Sequence, residues 1–159
     1  KAAAISEIKK ELSTLSPAEL SALCLRLAKY KVDNKELLGY LLFDANDEQG
    51  YIASVKEEMD MGFREMTGDK LYHAKKRLRK ILRLTNKYIR YTGSKQAEAE
   101  LLIYFCKKMK LSGLLSYYSI QINNLYEQQL KKIGKVIAGE HEDLQYDYQQ
   151  QLKELEDKE

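Results

Sequence analysis

Ile5, Ile8 and Leu12 stand three and four residues apart. That spacing puts them on one face of a helix, not on one face of a strand. The same period runs through nearly the whole chain. Ser16 is a helix cap, Pro17 fits the first helical position, and Glu19 completes a capping box. Leu20, Leu23, Leu27 and Tyr30 then mark one face of a second helix. Asp33 and Glu36 repeat the capping device ahead of "LLGYLLF", a string apolar enough to predict burial on most sides. A fourth helix is predicted to about Met66, started by Asn46 or Asp47. Gly68 is placed to end it, and Asp69 to cap a fifth. "YTGS" closes that helix, and Ser94 caps a sixth through Met109. After "LSG", one long helix is predicted over 114–138, followed by Gly139 and an acidic end.

No alternating pattern bounded by turn residues appears, so strands are not expected. The fold class read here is all-α, a compact stack of seven or eight helices. "CLRLAKY" at 24–30 echoes "ILRLTNKY" at 81–88, and "ELLGYLLF" at 36–43 echoes "ELLIYFCK" at 100–107. Two copies of a three-helix unit, 16–66 and 70–138, would resemble a HEAT or armadillo superhelix in architecture. No consensus motif of either family is present. The organisation expected is one helical domain over 1–139 and an acidic helix or tail over 140–159.

At 159 residues the chain can bury a real core. No run of about 18 apolar residues suggests a membrane span. The first residues, "KAAAISEIKKELSTL", lack the apolar centre of a signal peptide. Cys24 and Cys106 both sit in apolar strings, which predicts buried free thiols and a reducing, cytoplasmic setting.

Candidate chemistry is sparse. His73 lies among cations and His141 among acids, with no repeated Glu-x-x-His on facing helices, so no metal is expected. "DANDEQGYIASV" supplies Asp44, Asn46 and Glu48 at calcium-loop spacing. Gly50 then falls one position late, and Val55 stands where a bidentate Glu belongs. No glycine-rich phosphate loop or nucleophile elbow occurs, so neither a cofactor nor an enzymatic activity is indicated, and an enzyme whose groups converge from distant positions is the third reading.

Charge changes the picture. Residues 70–91 hold nine Lys or Arg, one His and no acid. Wound as a helix, Ala74, Leu78, Ile81, Leu82, Thr85 and Ile89 share an apolar arc about 100° wide. Lys76, Arg79, Lys80, Arg83, Lys87 and Arg90 share another beside it. A solvated face usually mixes signs, because like charges at i,i+4 destabilise a helix. Here Lys76–Lys80, Arg79–Arg83 and Arg83–Lys87 all repeat that spacing. Two explanations follow. Either a nucleic acid or acidic protein binds the ribbon, with nucleic acid the first reading. Or the end of the chain, with eight acids and two Lys over 140–159, neutralises it in a structural or assembly domain. A membrane surface fits poorly, because the apolar face is needed for the core. Leu144, Tyr148, Leu152 and Leu155 form one narrow seam on that last helix, suited to a single partner surface.

Overall fold

The computed structural model describes residues 1–66, 68 and 70–157. It groups the chain into two units, Lys1–Asp44 and Ala45–Glu159. Eight α-helices and no strands occur among the described residues. This is the all-α class that the periodicity predicts. The unit boundary falls inside the first of the two repeats suggested by the sequence echoes, and residues 140–157 belong to the larger unit.

The smaller unit holds α1 (Ile5–Leu12), α2 (Pro17–Tyr30) and α3 (Val32–Gly39), with a π-helical turn over Tyr40–Asp44. Ser16 caps α2 as predicted. Its hydroxyl accepts from the Glu19 N–H at 3.2 Å and donates to the Glu19 carboxylate at 3.0 Å. The cap expected at Asp33 does not form. Lys31 takes the N-cap position without a side-chain bond, and Asp33 lies in the first turn. α2 packs on α3, yet Tyr40 is the one buried residue among 1–44. "LLGYLLF" therefore departs from its prediction: Leu41, Leu42 and Phe43 are exposed. Cys24 departs likewise, being exposed on α2.

The larger unit is built around one helix. It contains α4 (Glu48–Glu65), α5 (Leu71–Thr92), α6 (Lys95–Leu111), α7 (Ile120–Ala138) and α8 (Glu142–Glu156). α6 packs against α4, α5, α7 and α8. Its buried side chains, among them Leu101, Leu102, Ile103, Phe105, Cys106 and Met109, lie around most of its circumference. A helix apolar on so many sides belongs at the centre of a core. Asp47 caps α4, its carboxylate accepting from the Gly50 N–H at 3.0 Å. Ser94 caps α6, accepting from Ala97 N–H at 3.1 Å. The cap predicted at Asp69 lies outside the described residues. Gly93, at φ +60°, ends α5 in a conformation that side chains rarely adopt.

The single helix expected over 114–138 is interrupted. A 3-10 turn spans Leu114–Tyr117, Tyr118 sits at φ +54°, and Ser119 caps α7. The seam on α8 finds its partner within the larger unit. Tyr148 and Leu155 are buried, Leu144 and Leu152 pack against the same core, and α8 rests on α6 and α7. The Tyr126 hydroxyl donates to the Leu155 carbonyl. Lys110 donates to the carbonyls of Glu154, at 2.8 Å, and Asp157. A cation at the C-terminal end of a helix meets the negative end of its dipole.

Candidate functional site

α5 carries the basic ribbon, and its amphipathicity fixes which way the ribbon faces. Ala74, Leu78, Ile81, Leu82, Thr85 and Ile89 are all buried. Thr85 joins that apolar row by donating its hydroxyl to the Ile81 carbonyl at 2.8 Å. With that face against the core, Lys76, Arg79, Lys80, Arg83 and Arg90 are exposed and Lys87 is half-buried.

Two of the cations off the ribbon are tied down. Arg77 pairs with Glu65 of α4 at 3.3 Å, and Lys75 donates to Gln121 of α7 at 3.1 Å. Lys87 lies 5.5 Å from the centre of the Tyr88 ring. Tyr88 in turn donates to Glu58 at 2.7 Å and meets Tyr51 and Tyr91 edge-on. Two of the three tyrosines interleaved with the cations thus serve packing, while Tyr72 is exposed. Five ribbon cations, Lys76, Arg79, Lys80, Arg83 and Arg90, make no ion pair or hydrogen bond among the described residues.

The structure brings four of the six ribbon residues to one place. Lys80, Arg83, Lys87 and Arg90 line a groove of about 720 Å³, with Lys132 of α7 opposite. Lys132 donates to Asn86 at 3.5 Å. One acid, Glu98 of α6, lines the groove, and no aromatic ring does. Lys76 and Arg79 lie outside it. Lys132 could not be found from the sequence, because its place depends on how α5 and α7 flank α6.

No acid of α8 pairs with a cation of α5 among the described residues. The seam carries α8 onto α6 and α7 instead, where Lys107 donates to Gln151 at 3.0 Å and Lys110 holds the last carbonyls.

A second cavity, about 680 Å³, lies beside Phe63, Met66, Leu71 and Leu114, with Asp60, Arg64, Lys70 and Lys108 at its polar side. Asp60 accepts from Tyr104 at 2.6 Å and pairs with Lys108 at 3.1 Å. Burial pushes the Asp60 carboxyl up, but these two donors outweigh it and hold the group below its usual range. Burial, then the hydrogen bond and charge of Asp60, push the Tyr104 phenol up to about 12. Neither Asp60 nor Tyr104 is therefore a base poised near neutral pH. Burial and the charge of Glu127 push the Cys106 thiol up to about 12, far from a nucleophile's range. His141 caps α8, its Nδ1 accepting from Asp143 N–H at 3.5 Å. No group of three or more metal-ligating side chains occurs among the described residues. No described helix is long and apolar enough to cross a membrane.

No family model matches this chain, and no curated protein or solved structure matches it either. The class that can be stated is that of the fold: an all-α protein whose larger unit is a bundle around α6.

Proposed function

We propose that the larger unit is a non-enzymatic binding module whose basic groove takes the sugar-phosphate backbone of a nucleic acid. The observation that carries this reading is the convergence of Lys80, Arg83, Lys87, Arg90 and Lys132 on one groove with a single acid. From Lys80 to Arg90 the helix rises about 15 Å, long enough for its cations to reach successive phosphates of one strand. A groove without aromatic rings offers no stacking platform, so recognition rests on backbone charge rather than on bases. Two free cysteines suit a reducing cytoplasm.

The test is binding to labelled single- and double-stranded nucleic acid and to heparin over a salt series. Affinity should fall with salt at about 0.9 log units per log unit of salt for each phosphate neutralised on duplex DNA. Changing Lys80, Arg83, Arg90 and Lys132 together to Gln should weaken binding about equally across sequences. Each lost contact should flatten the slope by about one unit. Lys29→Gln with Lys35→Gln, in the smaller unit, is the control and should change little. Unchanged affinity in the groove variant removes the reading. Binding confined to acidic proteins, with no affinity for any nucleic acid, replaces the partner class.

A further inference from the structure

The smaller unit is almost without a core. Among 1–44, Tyr40 is buried, while Ile5 is 80% exposed, Leu27 61%, Tyr30 76% and Phe43 78%. Segments this short rarely bury enough surface to stand alone. Twelve large apolar side chains of this unit, from Ile5 to Phe43, are between 37% and 80% exposed, an open area on the order of what one partner of a stable interface buries. A stable interface buries about 800 Å² from each partner.

The pattern of these residues says what kind of surface fits. On α1, Ile5, Ile8 and Leu12 recur at three and four, and Leu15 follows three residues later in the turn after it; on α2, Leu20, Leu23, Leu27 and Tyr30 recur at three, four and three. That is a period of 3.5, the seam of helices that pack on other helices at a shallow crossing angle. No charged residue occupies either seam. Residues 1–44 hold seven basic and six acidic side chains, so a surface of the same composition meets no net repulsion. A second copy of this segment supplies the required period, length and neutrality at equal stoichiometry, and a two-fold axis presents each seam to its own counterpart.

We propose that residues 1–44 associate with the same segment of a second chain, the α1 and α2 seams closing as a symmetric helical bundle. The structure supplies its own reporter. Cys24 is exposed and adjoins the α2 seam next to Leu23, whereas Cys106 is fully buried. A thiol reagent applied to the native chain therefore reads Cys24.

The experiment measures the mass of the full chain in solution and the labelling rate of Cys24, both over a wide concentration range. The expected result is a shift from one chain mass to two, with Cys24 labelling slowing in step with the dimer fraction. Leu23→Glu with Leu27→Glu should hold the chain at one mass and keep labelling fast at every concentration. The helical signal and melting of the larger unit, whose core these residues do not enter, should be unchanged in that variant. A native chain that stays at one mass overturns the proposal. If Cys24 is then slow at every concentration, the seam is covered by its own chain. A dimer with fast Cys24, or a dimer that survives the double substitution, also overturns it by placing the interface elsewhere. Should the double variant lose helix, the concentration dependence of native Cys24 labelling decides alone.

Discussion

Gly62 shows how closely two helices of the larger unit approach. A Cβ at that position would meet Ile81 Cγ1 at 2.7 Å and Cδ1 at 2.9 Å. Alanine favours a helix over glycine by about 1 kcal/mol, yet here it has no room, since Ile81 is itself buried. Gly62→Ala should therefore destabilise the protein, by about 1–3 kcal/mol, in a urea melt; a gain would mean that α4 and α5 part easily. Buried protons form a second residue-scale device. Burial foremost pushes the phenols of Tyr104 and Tyr148 up to about 12, the thiol of Cys106 up to about 12, and the phenol of Tyr126 further still. The unfolded chain releases these protons near the ordinary values of 9.0 for the thiol and 10.0 for a phenol. The folded state holds them longer, so their contribution is full below pH 9 and is lost as pH rises towards 12. Urea midpoints measured from pH 8 upward should fall steeply in that window, and less steeply in Tyr148→Phe. A flat profile would show that these groups ionise without unfolding. Residue type and local string could not foretell this: Cys24 and Cys106 have similar neighbours in sequence, and only the placement of their helices separates an open thiol from a buried one.

At the scale of the element, sequence was most informative where a helix has one apolar face and clear punctuation. On α5 every residue of the apolar arc is buried, and Ser16, Asp47 and Ser94 cap as read. It was least informative where apolar residues run together. "ELLGYLLF" and "ELLIYFCK" look alike, yet the first is exposed past Tyr40 and the second forms the centre of the bundle. A fully apolar string lacks the polar side that says which way it faces. The break at Tyr118 was hidden for a related reason, since "SYYS" contains no Gly or Pro to announce it. The ribbon on α5 makes its own prediction. Lys76 is exposed, lines no cavity described above, and faces Lys80 and Arg79 at the next turn. Lys76→Glu turns two repulsive spacings into attractive ones, with the acid N-terminal to its partners. Stability should rise by about 0.5 kcal/mol at low ionic strength, and the gain should shrink with salt. A loss of stability would show that Lys76 is paired in solution.

For the whole molecule, the seam on α8 was legible because four residues on one polar helix leave a single face to bury. The two-unit division was not, because both units draw on the same Leu-rich composition and differ in what their helices meet. Apart from Tyr40, every buried apolar side chain lies in the larger unit. Opening α1–α3 therefore exposes little that is not already open, while opening α6 dismantles the core. Local unfolding free energies follow that difference. In hydrogen exchange at high dilution, amides of α1–α3 should exchange orders of magnitude faster than those of α6, whose protection approaches that of global unfolding. Raising the protein concentration adds a second chain as a ligand of the smaller unit, and mass action stabilises whatever binds. Protection of α2 should then climb with concentration while that of α6 stays fixed. Equal protection of α2 and α6 at high dilution would mean that the two units unfold as one. Fast exchange of α2 at every concentration would mean that nothing closes its seam.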